Sequence, residues 1–309
     1  MRAVRSVDGS ATVVEAPVPV ADWPVLEVAA AGICGSDLGL LDFGLPVTLG
    51  HEIAGTIDGR TYCVEPTVAC GQCDQCTAGA SQRCRGRAPH GMLGLDFDGG
   101  MADRIAVPAD CLLELPAGLP VADASLVEPM AVCRHAFRRV AAVAGERVLV
   151  VGGGSIGLLA VAAARALGLD VDLAARHPHQ LAAGERLGAG RPMGEYDITV
   201  ESAGTESSLH RCIEAAAPGG RVAMVGVNTG SWTVAGLPLM MKELTIAGSF
   251  CYGRGRDGRE FAEAAAMLAA NPDIADTVIT HRFPLTDAAE AFRVAADRSA
   301  GAIKVVLEP

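Results

Sequence analysis

Apolar and polar positions follow two different rhythms along this chain. Through the first third, short β-branched runs are cut by Gly, Pro and Asp, as in "SATVVEAPVPV", "PVLEVAAAG" and "EIAGTIDGRTYCVEP". Runs of that length bounded by turn residues predict irregular, mostly antiparallel β structure. From about residue 136 the rhythm changes. "ERVLVVGGG" reads as a buried strand, "SIGLLAVAAARALG" as an Ala/Leu helix, "DVDLAAR" as a strand and "HQLAAGERLGA" as a helix. The alternation continues through "YDITVESAG", the helix "SSLHRCIEAAAPGG", "RVAMVGV" and "LTIAGSF", which predicts a parallel, doubly wound sheet. The last stretch is mixed. "REFAEAAAMLAANP" is a helix stopped by Asn271-Pro272, "DAAEAFRVAADRSAG" a helix opened by a capping box of Asp287 and Glu290, and "AIKVVLEP" a strand.

Composition narrows the class. A chain of 309 residues with 50% hydrophobic and 20% charged positions can bury a sizeable core and suits two domains. A formal net charge of −11 leaves no basic footprint for nucleic acid or anionic lipid. The most apolar uncharged run, Val148 to Ala164, is shorter than the ~20 apolar residues of a membrane helix and contains Gly-Gly-Gly-Ser. The N-terminal "MRAVRSVDGSATVVEAP" has no apolar signal core, so a cytoplasmic location is expected. Ten cysteines in such a chain point to metal, catalysis or burial rather than bridges.

Four of them lie close together in "VACGQCDQCTAGASQRC": Cys70, Cys73, Cys76 and Cys84, spaced Cys-x2-Cys-x2-Cys-x7-Cys. Thiols two residues apart bridge poorly without strain, whereas four thiolates fill a tetrahedral zinc shell and leave no position open. Such a closed site is structural. A looser set comprises Cys34 in "GICGSD", His51 in "LGHE" and Glu128 in "LVEPMAV". Each of these taken alone reads more readily as a buried core residue or a solvated charge than as a metal ligand.

Their order along the chain changes that weighing. The succession "GICGSD", "LGHE", "CGQCDQC", "DGGMADRIAVP", "VEP", "GGGSIG", "KELTIAGSF" and "GAIKVVL" resembles the zinc-dependent medium-chain dehydrogenase/reductase family, close to the alcohol, sorbitol and threonine dehydrogenases. The resemblance covers nearly the whole chain. It implies a GroES-like, mostly-β catalytic domain over residues 1–134 with a structural-zinc lobe. A Rossmann cofactor domain over 135–253 and a segment 254–309 returning to the first domain complete the α/β fold.

By the same resemblance Cys34, His51 and Glu128 bind a catalytic zinc, with Glu52 competing for the third place. Either choice leaves one coordination position open for a Lewis acid to act on an alcohol or carbonyl. Asp37 resembles the carboxylate that orients the histidine ligand, and Ser36 the hydroxyl that passes the alcohol proton towards solvent. Two departures stand out. Gly39 occupies the place where many relatives finish the proton relay with histidine, and "DGRTYCVEP" is shorter than the usual hairpin. Arg134 falls where relatives are apolar; it suits either an anionic substrate group or a solvated surface.

Gly152, Gly154 and Gly157, with Ser155 and Ile156 between them, form G-x-G-x-x-G at a strand-to-helix turn, where the backbone can approach a pyrophosphate. NAD-specific relatives end the next strand with an acid for the ribose 2′-hydroxyl. Here Ala175 and Arg176 stand there, with His177 and His179 following, which favours NADP(H) over NAD(H). The function implied is a zinc oxidoreductase moving a hydride between NADP(H) and a secondary alcohol, polyol or the corresponding carbonyl, working as a homodimer or homotetramer. The rivals are an NADPH-dependent C=C or C=N reductase with a non-catalytic zinc, and a non-enzymatic protein on the same scaffold. The pocket loops "LLDFGLPV" and "RAPHGMLGLDFD" leave the substrate open.

Overall fold

The computed structural model describes residues 1–19, 22–86, 90–254, 259–297 and 299–309. Two compact units emerge: Met1–Glu128 together with Gly253–Pro309, and Pro129–Tyr252. No helix among the described residues is long and apolar enough to cross a membrane.

The first unit is built on a seven-stranded sheet. Its strands lie in the order Ile279–Pro284, Lys304–Glu308, Val25–Gly32, Glu52–Ile57, Arg60–Val64 and Leu112–Glu114, with Arg104–Ala106 also pairing with Val25–Gly32. All these pairings are antiparallel except that of Ile279–Pro284 with Lys304–Glu308, so the predicted β character and its direction hold. The shortened "DGRTYCVEP" stretch is a two-residue hairpin: Asp58 and Gly59 carry φ of 48° and 78°, and Ile57 faces Arg60. Both central residues left-handed is the turn whose twist matches two paired strands, and Gly accepts it without a Cβ clash. The core packs Leu26, Val28, Ile53, Val64, Ile105 and Leu307 against Leu285 and Phe292.

The second unit holds a five-stranded parallel sheet in the order Asp170–Ala174, Arg147–Val151, Tyr196–Glu201, Ala216–Met224 and Thr245–Gly248. Beyond Asp170–Ala174 the edge carries only one further parallel bridge, Asp172 to Gly190. The chain leaves Arg147–Val151 towards that edge and comes back on its other side as Tyr196–Glu201. The point of reversal between the two is where an open α/β sheet leaves a crevice at its strand ends. Leu149, Val151 and Val222 pack against Leu209, Cys212 and Ile213 of the Glu206–Ala215 helix.

Two local expectations are corrected. Asp287 heads the Ala288–Ala296 helix, but its side chain makes no capping bond, and Glu290 turns instead to Arg293 at 2.6 and 2.7 Å. An i,i+3 ion pair on the exposed face wins over the reach back to the cap. The helix predicted through "APGG" stops at Ala215, and Ala216 enters the next strand with ψ 136°. Pro218 has no N–H to donate and forces Ala217 away from helical geometry.

Candidate active site

In the first unit, strand register brings the looser donor set together. Gly32, the last residue of Val25–Gly32, lies opposite Glu52, the first of Glu52–Ile57. The residues just beyond one strand and just before the other, Cys34 and His51, therefore converge. A Cβ on Gly32 would fall on the Glu52 carboxylate, so only glycine lets that side chain lie across the neighbouring strand. Donor atoms of Cys34, His51 and Glu52 all lie within 4.8 Å of one another.

Asp37 links two of these. Its Oδ2 accepts from the Cys34 backbone N–H at 2.8 Å, and its Oδ1 lies 3.4 Å from His51 Nδ1. Asp37 is fully buried in the Gly35–Leu40 helix, whose N-cap is Cys34. A carboxylate at Nδ1 favours the tautomer that leaves Nε2 free to bind a metal. Neither Asp37 Oδ1 nor His51 Nδ1 has a hydrogen-bond partner of good geometry, although both are buried. One half-buried thiol, one buried imidazole and one buried carboxylate, held at the adjoining ends of two central strands, are the donor types zinc takes in a catalytic site.

Glu128 lies outside that tight set. It is 6% exposed; burial pushes its carboxyl up to about 7, with His51 opposing that rise and Glu52 adding to it. Glu52, by contrast, is committed to a partner that the sequence pattern does not flag. Lys304, 2% exposed, places Nζ 2.7 Å from both Glu52 oxygens and 3.1 Å from the Ile33 carbonyl. Its one visible signal is a lone charge inside the apolar run "IKVVL". Ser36 is half-buried in the first turn of the Gly35–Leu40 helix, and a Cβ on Gly39 would meet no atom within 4 Å. Phe43 in the "LLDFGLPV" loop is 73% exposed; residues 87–89 of the other pocket loop lie outside the described residues.

The four clustered thiols come together as predicted by their spacing. Cys70, Cys73, Cys76 and Cys84 place their sulfurs within 4.8 Å of one another, and all four are free thiols. Cys73 to Cys76 is 3.5 Å and Cys70 to Cys76 is 3.9 Å, against the ~3.8 Å that a tetrahedral zinc with ~2.3 Å bonds imposes on its sulfurs. Backbone N–H groups point inward: Cys70 and Gly86 donate to Cys84 Sγ, each at 3.3 Å, and Arg85 to Cys73 Sγ at 3.4 Å. The Arg85 and Cys76 N–H groups hold Cys73 down at about 6, while burial and then the neighbouring thiols push Cys76 up to about 12. Four thiolates can share this space when a cation balances them. A Cβ on Gly86 would meet Cys70 Sγ at 2.6 Å, so the chain closes tightly over the cluster.

In the second unit, the glycine turn meets the requirements of a dinucleotide. Gly152 has φ 122°, and a Cβ there would meet Ser202 Oγ at 2.6 Å; a Cβ on Gly157 would fall on the Gly152 carbonyl. The turn leads into the Ser155–Ala166 helix with Gly154 as N-cap, so the N–H groups of Ser155 and Ile156 lack acceptors inside the helix. At the end of the neighbouring strand Arg176 is exposed and makes no ion pair among the described residues. His177 caps the Pro178–Arg186 helix, and its ring stacks on His179 at 5.5 Å. Arg134 sits half-buried on the Val127–Arg139 helix.

The chain is similar to known proteins over its whole length. The alcohol dehydrogenase GroES-like domain matches residues 21–117, and the glucose dehydrogenase C-terminus matches 122–308. The L-galactonate-5-dehydrogenase of Escherichia coli K12 is 31% identical, the match covering 90% of this chain and 89% of the relative. The crystal structure of galactitol-1-phosphate dehydrogenase from E. coli superposes with a TM-score of 0.89 at 28% identity, over 100% of both chains. A protein of Sinorhizobium meliloti 1021 described as a zinc-binding dehydrogenase, solved with NADP bound, superposes with a TM-score of 0.85 at 30% identity, over 100% of this chain and 99% of that one. One match spans more than half the chain and another runs nearly end to end, so the chain belongs to the zinc-dependent medium-chain dehydrogenase/reductase family, among its zinc-type alcohol dehydrogenases.

Proposed function

We propose that this enzyme transfers a hydride between NADP(H) and a secondary alcohol, most naturally a polyol or sugar acid, or the corresponding carbonyl. The observation that carries the reading is the pair of unlike donor sets: four thiols that close a tetrahedron, and a Cys34–His51–Glu52 group that leaves a position open. Cys34 and His51 would hold the catalytic zinc, with Glu52 or Glu128 as the third donor, and Cys70, Cys73, Cys76 and Cys84 the structural zinc. When bound, the catalytic ion supplies Lewis acidity to the reacting oxygen. The rest falls to the chain's own side chains. Asp37 fixes the His51 ring, and Lys304 neutralises Glu52 inside the sheet. Ser36 Oγ takes the alcohol proton; at Gly39 the relay has no side chain, so the proton passes to water there.

The Gly152–Gly157 turn would cradle the pyrophosphate, and Arg176, with His177 beside it, would meet the 2′-phosphate. Support for NADP(H) comes from the absence of any acid at residues 175–179 and from the NADP held by one relative. The relatives' names point to sugar acids and polyol phosphates as the substrate class. Exposed Met240, Met241 and Phe250 flank the edge strand Thr245–Gly248, a surface suited to a second copy in a homodimer or homotetramer. Metal analysis of reconstituted protein should find two zinc ions per chain, and a panel of polyols and sugar acids with each cofactor should show turnover that chelation abolishes. One zinc only, or turnover indifferent to chelation, rejects this function.

A further inference from the structure

The second unit contains a buried acid that none of the roles above uses. Glu201 ends the Tyr196–Glu201 strand at the reversal point of the sheet and is fully buried. Three donors converge on its Oε1: the backbone N–H groups of Ala203 and Gly204, each at 2.8 Å, and Ser208 Oγ at 2.6 Å. Its backbone carbonyl accepts from Val225 at 2.9 Å and Gly226 at 3.0 Å. Its neighbour Ser202 donates from N to the Val151 carbonyl at 3.0 Å, and from Oγ to the Val151 and Gly152 carbonyls at 3.0 and 3.3 Å.

One residue pair thus ties together the ends of three adjacent strands. Ser202 holds the glycine turn, the Glu201 side chain holds the 202–204 loop and the first turn of the Glu206–Ala215 helix, and the Glu201 carbonyl holds the loop after Ala216–Met224. The contacts are close enough to exclude side chains. A Cβ on Gly226 would fall on the Gly204 amide, and one on Gly204 on the Val227 carbonyl. A crevice floor assembled this way is set before any ligand arrives, and a preorganised site binds more tightly because little ordering remains to be done.

We propose that Glu201 is a positioning residue for the dinucleotide, its carboxylate fixing the 202–204 loop from which Ser202 holds the glycine turn, an inference that rests on the dinucleotide reading above. Glu201→Ala leaves the Ala203 and Gly204 N–H groups without that acceptor, while Ser208 Oγ keeps the Thr205 carbonyl at 2.6 Å, and lets the 202–204 loop relax. Its Kd for NADPH, followed by fluorescence titration, should rise about tenfold or more, while kcat at saturating cofactor stays within about threefold. Glu201→Gln keeps an oxygen acceptor and should restore Kd to within about threefold of the original. Ser208→Ala removes a single donor and should fall between the two. Tyr196→Phe is the control, because it cuts hydrogen bonds to Asp172 and the Met193 N–H at the opposite end of the same strand. It should lower Tm without moving Kd.

If Tyr196→Phe weakens NADPH as much as Glu201→Ala at a comparable loss of Tm, the role is general stability and the proposal is wrong. It is equally wrong if Glu201→Ala and Ser208→Ala both bind like the unmutated enzyme, or if Glu201→Gln is as poor as Glu201→Ala. Should Glu201→Ala fail to fold, Ser208→Ala and Glu201→Gln decide by the same criteria. Unmutated protein that binds neither NADPH nor NADH overturns the dinucleotide reading and this inference with it.

Discussion

Replacing Ala175 with Asp and Arg176 with Leu should reverse the cofactor order. Arg176 is exposed and makes no ion pair among the described residues, so its guanidinium is available to a 2′-phosphate. A charge-assisted hydrogen bond contributes about 1.5–3 kcal/mol net, and exposure places this contact at the lower end. At about 1.4 kcal/mol per decade, that corresponds to a preference for NADP of roughly tenfold in the unmutated enzyme. Ala175 adjoins the glycine turn: a Cβ on Gly153 would meet the Ala175 Cβ at 2.6 Å. A carboxylate at position 175 therefore stands where the adenosine ribose must pass, accepting from a 2′-hydroxyl and repelling a 2′-phosphate. The change should appear in KM rather than kcat, because the phosphate is remote from the hydride and binds ground and transition states alike. Steady-state kinetics with both cofactors, before and after the double substitution, reads it. An unmutated enzyme that prefers NAD, or a double variant that still prefers NADP, would show that Arg176 points into solvent and would refute the reasoning.

Three further outcomes follow from other parts of the molecule. Cys73→Ser should release the structural zinc and loosen its lobe, because thiolate coordination and local folding are coupled; metal analysis should fall by one ion per chain, and an unchanged count would exclude Cys73 as a ligand. Ser36→Ala should lower kcat by about 10²-fold with little change in KM if its hydroxyl carries the proton, and unchanged turnover removes it from the chemistry. Glu65 is fully buried and pairs with Arg259 and, at 3.7 Å, with Arg254, so Glu65→Ala strands two partly buried guanidiniums. That should cost about 3 kcal/mol, the low end for a broken buried pair since both arginines keep carbonyl acceptors and some water; calorimetry should find Tm lower by roughly 6–12 °C.

Much of the architecture could be read from local pattern. Strands and helices of the second unit announce themselves because a parallel sheet is buried on both faces, so a central strand such as Arg147–Val151 is a nearly continuous apolar run set off by Gly. The four-thiol lobe was equally legible, since its ligands lie within one short loop and spacing alone brings them together. The catalytic donors were harder. Cys34 and His51 meet through the Gly32–Glu52 register, a long-range fact with no local signature beyond two glycine-flanked turns. Lys304 shows only as a lone charge in "IKVVL": its partner Glu52 is far away in sequence, and nothing in that run says which side of the strand faces a carboxylate. The Asp287–Glu290 capping box failed because the motif does not specify which of two nearby partners Glu290 will choose, and Arg293 is the nearer. Glu201 carried no signal, because two of its three donors are backbone N–H groups and the third, Ser208, is an ordinary helix serine in the sequence.

The strand Lys304–Glu308 lies inside the first unit's sheet, between Val25–Gly32 and Ile279–Pro284. Residues 129–252 form one contiguous unit with short-range crossovers, able to fold while synthesis is still under way. The sheet that carries the metal ligands has no such freedom. Its second-outermost strand, and with it the lysine that neutralises Glu52, leaves the ribosome only after the whole intervening unit has been made, so the Ala31–Gly32 end of Val25–Gly32, beyond the part covered by Arg104–Ala106, waits unpaired through that interval. An unpaired edge is a template for pairing with other chains. Nascent chains stalled between residues 252 and 304 should thus be the aggregation-prone species of this protein, and the Cys34–His51–Glu52 group the last part of it to gain its full set of partners.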